Sequence, residues 1–191
     1  MFYKIARGAV KRFYHARYKI NVIGKDRIPK EGPVIICSNH ISEFDPPLIG
    51  ISVDREMSFF AKSELFKIPV LGYLISHLNA FPVERGKSDR AALKKSVEVL
   101  KDGNMMLMFP EGSRSNTGKL KDLQQGAGFL AVKSEAQIVP AAIKGSYNRK
   151  KGITVVFGKP IDTKALTAEG YNRKDITVEI TENINTLLFS E

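Results

Sequence analysis

Seven short apolar runs, separated by turn residues and by segments of helical spacing, predict an α/β fold: a single domain with a mixed, largely parallel sheet covered by helices. Two further observations sharpen this. The runs are apolar throughout rather than alternating, as strands buried on both faces are. The positive charge of the chain is concentrated ahead of the first run, in a segment with a helical periodicity of its own.

That first segment predicts a basic amphipathic helix over residues 1–18. At about 100° per residue, Phe2, Ile5, Ala6, Ala9, Val10, Phe13 and Ala16 share one arc of roughly 140°. Lys4, Arg7, Lys11, Arg12, His15 and Lys19 lie on the other side, with Tyr3 and Tyr14 at the boundary and Arg17 the exception inside the apolar arc. Residues 1–30 hold nine Lys and Arg against one acid, whereas the rest of the chain holds 21 against 19. Such a helix suits the headgroup layer of an anionic membrane. Packing against its own domain is the alternative. The recurring charges leave no uninterrupted apolar core for a secretory signal.

Residues 19–191 are then expected to form the domain proper. KINVIG (19–24), PVIICS (33–38), MSFFAK (57–62), AFPV (80–83), MMLMF (105–109), IVPAAI (138–143) and ITVVFG (153–158) read as its strands. Helical spacing marks 88–100, with Ser88 as expected N-cap, then 126–135 and an amphipathic tail over 175–189. Val70–Leu78 reads as a buried or interfacial helix. The charge-free stretch around it, 68–83, contains two prolines, His77 and Asn79 and is too short for a span, so no transmembrane helix is expected.

Composition excludes several classes of function. With 191 residues, 43% of them hydrophobic, the chain is long and apolar enough to fold without staples. Its one cysteine, Cys37, excludes an internal disulfide framework. Three scattered histidines do not make a metal site, and no metal is expected. The net charge of +10 permits nucleic-acid binding. However, the excess sits in the N-terminal segment and no stacking-aromatic signature follows it, so no nucleic acid is expected.

Two segments carry chemistry. Asn39-His40-Ile41-Ser42-Glu43-Phe44-Asp45 directly follows a strand, at the kind of edge where α/β sheets bind ligands. An Asp five residues after a His, at a helix start, can turn its carboxylate onto one imidazole nitrogen and leave the other as a general base. Read alone, the pair is equally a polar loop and a helix cap. Phe109-Pro110-Glu111-Gly112-Ser113-Arg114-Ser115 also follows an apolar strand. Parallel strands would bring Glu111 and Arg114 to the same edge as His40, a carboxylate for a hydroxyl and a guanidinium for a phosphate.

Together these residues resemble the glycerolipid acyltransferase family, most closely its small bacterial members that acylate 1-acylglycerol-3-phosphate. NHISEFD (39–45) is similar to the family's first block, and FPVERG (81–86) to the second, with Arg85 at the phosphate-binding arginine. FPEGSRS (109–115) resembles the third and IVPAAI (138–143) the fourth. Ser113 stands where many relatives carry threonine, which keeps the hydroxyl. Gln124-Gln125 replaces lysines common in relatives.

The resemblance implies a cytoplasmic-face, peripheral membrane enzyme. It would move a fatty acyl group from acyl-CoA or acyl-carrier protein to the hydroxyl of lysophosphatidate, with no cofactor and no covalent acyl-enzyme. It implies His40 as base and Asp45 as its orienting partner. Arg85 and Arg114, with Lys62 as a further candidate, would hold phosphate; Glu111, Gly112 and Ser113 would position the glycerol part. The apolar stretch 65–78 is either an acyl-chain guide or core. Alternatives are another hydroxylated phospholipid acceptor, or a non-catalytic basic protein binding membrane or nucleic acid. Nucleophilic catalysis by Cys37 is disfavoured, because positions three apart on a strand face opposite ways.

Overall fold

A computed structural model describes residues 1–84, 89–115 and 120–190. In chain order its elements are α1 (Phe2–Arg17), β1 (Ile20–Ile23), β2 (Val34–Ser38), α2 (Asp45–Ser52), β3 (Met57–Lys62), α3 (Pro69–Ser76), β4 (Ala80–Val83) and α4 (Arg90–Lys101). There follow β5 (Met105–Met108), α5 (Gly126–Ser134), β6 (Gln137–Gly145), β7 (Ile153–Phe157), α6 (Thr163–Ala168) and α7 (Arg173–Phe189). All seven expected strands form, in the order β1-β7-β6-β2-β5-β3-β4. Every neighbouring pair is parallel except β6 with β7. The carboxyl ends of β2, β3, β4, β5 and β6 therefore share one edge.

The unbroken apolar runs follow from covering both faces. Val34 and Ile36 of β2 join Leu48, Ile49, Met57, Leu107 and Phe157 on the side of α1 and α2. Ile35 and Cys37 join Leu100, Leu130, Ile176, Ile180 and Ile184 of α4, α5 and α7 on the other. Truncating a side chain such as Ile36 to alanine would cost about 2–5 kcal/mol. Helices α5 and α7 cross closely at Gly128, where a Cβ would lie 2.2 Å from the Arg173 carbonyl oxygen. A bulky residue there would push α7 off the sheet.

Three details differ from the sequence reading. The cap of α4 is Asp89, whose carboxylate accepts from the Ala92 N–H at 2.9 Å; the expected cap, Ser88, lies outside the described residues. The six-residue α6 had no signal in the apolar pattern; Asp162 starts it by accepting from the Lys164 and Ala165 N–H groups. Along α3 only Gly72 is buried, while Val70 and Tyr73 stand well out in solvent, so of the two readings of this helix the buried one fails and the interfacial one stays open.

Helix α1 resolves into three sectors instead of two. Tyr3 and Tyr14 are buried, with Val10 packed against the same core. The Arg7 guanidinium donates to the carbonyls of Val53 and Asp54 at 3.2 and 2.8 Å. This edge holds the helix to the domain. Phe2, Ile5 and Phe13 lie 41%, 62% and 57% exposed on a second sector, and Lys4, Lys11, Arg12 and His15 occupy the third. Among the described residues no helix is long and apolar enough to cross a membrane.

Candidate active site

His40 follows β2 by two residues, and its loop is fixed from three directions. Asn39 binds β6 in both senses: its Oδ1 accepts from the Ile143 N–H at 2.7 Å and its Nδ2 donates to the Ile143 carbonyl at 3.1 Å. Glu111, at the end of β5, accepts the His40 backbone N–H at 2.7 Å. The Ser115 N–H donates to the His40 carbonyl, also at 2.7 Å. The loop is thereby tied on both sides of β2, to β6 through the Asn39 side chain and to the segment after β5 through the His40 backbone. The Phe109 ring lies flat on the imidazole, with centroids 4.1 Å apart and planes within 16°.

Asp45 opens α2, where Pro46 and Pro47 fill first-turn positions that need no N–H partner. Its fully buried carboxylate gathers four donors. The Ile41 and Ser42 N–H groups reach Oδ2, each at 2.7 Å, and His40 Nδ1 reaches the same oxygen at 2.8 Å. The Tyr147 hydroxyl donates to Oδ1 at 2.7 Å. An ionised carboxylate accepts only, so this contact places a proton on Nδ1, the tautomer that leaves the lone pair of a neutral imidazole on Nε2. Burial first, then the Asp45 charge, pushes the Tyr147 phenol well above its ordinary value, so it stays a donor.

A cavity of about 640 Å³ opens in front of His40, with Lys62, Phe59, Phe109, Gly112 and Gln124 on its walls. A second, of about 580 Å³, shares the lining residues Val83, Glu84, Asp89 and Ala92 with it. Gly112 adopts φ +68°, and a Cβ there would meet the Gln124 side chain at 2.5 Å. A side chain at 112 would be strained and would displace that wall.

The sequence-predicted residues separate into two groups. His40 and Asp45 come together at bonding distance, and Lys62 and Gly112 border the cavity. Glu111 is a strut: its other oxygen accepts the Lys121 N–H at 2.9 Å, so both oxygens are engaged by backbone and the residue is buried. Arg114 sits half-exposed, 3.7 Å from the Glu43 carboxylate. Ser113 Oγ accepts from Lys121 Nζ at 3.1 Å. Arg85 lies outside the described residues. Cys37 is fully buried on the α5–α7 side, and burial pushes its thiol up, which makes it a poor nucleophile.

Sequence reasoning missed Asn39, Tyr147 and Lys121 as members of this site. Tyr147 did carry a signal, since it follows β6 at the same carboxyl edge as His40.

An imidazole–carboxylate pair beside a cavity at the carboxyl edge of an α/β sheet lies where enzymes of this architecture bind their ligands. A profile of the acyltransferase family matches residues 19–144, and the chain belongs to that family. It is 28% identical to 1-acyl-sn-glycerol-3-phosphate acyltransferase of Bacillus subtilis over 83% of this chain and 82% of that protein. It is 33% identical to the chloroplastic enzyme of that name, LPAT1, from Arabidopsis thaliana. That match covers 68% of this chain but spans only 37% of the longer plant protein. The crystal structure of the 1-acyl-sn-glycerophosphate acyltransferase PlsC from Thermotoga maritima superimposes with a TM-score of 0.76 at 28% identity. The match covers 99% of this chain and 83% of that one.

Proposed function

We propose that the chain transfers a fatty acyl group from a thioester, acyl-CoA or acyl-carrier protein, to the free hydroxyl of 1-acylglycerol-3-phosphate, giving phosphatidate. The observation that carries this reading is the 2.8 Å His40–Asp45 contact, set beside the cavity in a chain whose relatives bear that activity in their names. His40 Nε2 takes the hydroxyl proton as the oxygen attacks the thioester carbonyl. The tetrahedral intermediate collapses, the C–S bond breaks, and the thiolate recovers the proton from the imidazolium. Asp45 stabilises that cation while it lasts. Lys62, Arg114 and Arg85 are proposed to receive the acceptor phosphate, with Ser113 and Gly112 at the glycerol part. The adjoining cavities give room for the acyl chain and the acceptor together.

The membrane is the expected source of the acceptor. The exposed Phe2, Ile5 and Phe13 beside a basic sector of α1 fit the headgroup layer of an anionic bilayer, and residues 1–18 are proposed to dock there from the cytoplasmic side. The exposed Tyr73 of α3 continues this surface, its ring meeting that of His77 at 4.2 Å. The Phe2 ring meets His77, just past α3, at 5.5 Å.

The test is acyl transfer from labelled acyl-CoA and from acyl-carrier protein to lysophosphatidate in detergent, with wild type beside His40→Ala. Product from wild type with one donor, and none from the variant, establishes the reaction and the donor. No product from either donor overturns the reading. For docking, a Phe2→Ser, Ile5→Ser, Phe13→Ser variant should lose most co-sedimentation with anionic liposomes. Undiminished binding would place the membrane contact elsewhere.

A further inference from the structure

The loop between β6 and β7 joins three things that the reaction does not obviously require to touch. Tyr147 gives its hydroxyl to Asp45 Oδ1 at 2.7 Å. Its ring meets that of Tyr18, just past the end of α1, edge to face at 5.5 Å, and that of Phe44 at 5.5 Å. Two residues on, Arg149 donates to the Arg17 and Ala16 carbonyls at the carboxyl end of α1, at 3.3 and 3.4 Å. From α1 itself, Tyr14 packs against Tyr18 and donates its hydroxyl to the Phe44 carbonyl at 3.0 Å, one residue before Asp45. Four aromatic rings thus form a wedge between the N-terminal helix and the start of α2.

We propose that Tyr147 is a positioning residue for the His40–Asp45 pair, and that α1 holds it there through Tyr14 and Tyr18. Without the phenol, Asp45 keeps three donors on Oδ2 and none of those described on Oδ1. The carboxylate then loses one of its four restraints and rocks more widely about χ2 on the Ile41 and Ser42 amides, and the imidazole that leans on Oδ2 moves with it. Nε2 leaves the line along which it meets the acceptor hydroxyl, a displacement that costs turnover rather than binding. The N-terminal helix, on this view, belongs to the catalytic scaffold as well as to the surface that meets lipid. The proposal rests on His40 acting as the base.

Tyr147→Phe removes one oxygen and keeps the ring contacts with Tyr18 and Phe44. In detergent-dispersed substrate it should lower kcat by about 10- to 100-fold while both KM values stay near wild type and the thermal midpoint falls only by the few degrees that one lost buried hydrogen bond costs. Hydrogen exchange followed by mass spectrometry should show faster exchange confined to residues 39–45, whose Ile41 and Ser42 amides bond Asp45. A kcat within twofold of wild type overturns the proposal. So does a kcat loss with unchanged exchange over 39–45, or a loss that comes with a larger fall in thermal midpoint than that. The exchange measurement needs no turnover, so it still decides whether Tyr147 restrains Asp45 if the acyltransferase assay itself fails.

Discussion

The loop that carries His40 and the rim that carries the cations are built on opposite plans. Asn39, His40, Asp45 and Glu111 are buried, and their side chains are bound to protein partners. Lys62, Ser113, Arg114 and Lys121 are exposed at the cavity margin or beside it. Burying polar groups with full hydrogen bonding fixes them in one arrangement, since any departure leaves a donor or acceptor unpaired in a dry place. Exposed cations keep several rotamers and a water shell. On the proposed function, the first plan suits a proton transfer that tolerates little displacement. The second suits the capture of a charged, flexible lipid that arrives in many poses.

Three measurements would break or sharpen the contrast. The largest effect belongs to the fixed loop. His40→Ala should lower turnover by roughly 10²–10⁴-fold with the fold intact by circular dichroism; near-normal turnover would remove His40 from the chemistry. Arg114→Ala should act on capture, raising the acceptor KM about 10-fold with kcat little changed. A fall in kcat with KM constant would place Arg114 at the reacting atoms instead.

The smallest effect is on stability in alkali. Burial raises the Tyr3, Tyr14 and Tyr147 phenols and the Cys37 thiol above their ordinary values. The unfolded chain releases these protons near pH 8.5–10, whereas the folded chain retains them. Their contribution to stability is therefore complete below that range and is lost as pH rises through the folded values. Thermal midpoints should fall between pH 8 and pH 10.5, and a flat profile would show that these groups are not held protonated by the fold.

Most of the fold was legible because inner strands buried on both faces cannot disguise themselves: the apolar runs became seven strands, with only the edge strands β1 and β4 alternating in burial. The His40–Asp45 pair was legible for a local reason, since five residues at the start of a helix suffice to bring the two side chains together. What holds the pair was not legible. Asn39 finds its partner at Ile143 and Asp45 finds Tyr147, each about a hundred residues away, and only the strand order puts them side by side. Glu111 illustrates the same limit from the other direction. Its position beside the site was evident, yet its bonding to the His40 and Lys121 amides depends on how two loops lie against each other. Similarly, the amphipathic arc of α1 gave no hint that its tyrosine edge, and not its apolar centre, packs inward.

The span between Asn39 and Ile143 also governs when the protein becomes competent during its manufacture. A ribosome delivers the His40 loop early, with β6 and Tyr147 still unmade, so the nascent chain has an imidazole, a carboxylate and the local Ile41 and Ser42 amides but lacks the distant bonds that fix the loop. Competence arrives only when β6 inserts beside β2, after most of the polypeptide has been synthesised. On the proposed function, insertion of β6 is therefore the step of synthesis that supplies the restraints a proton transfer needs.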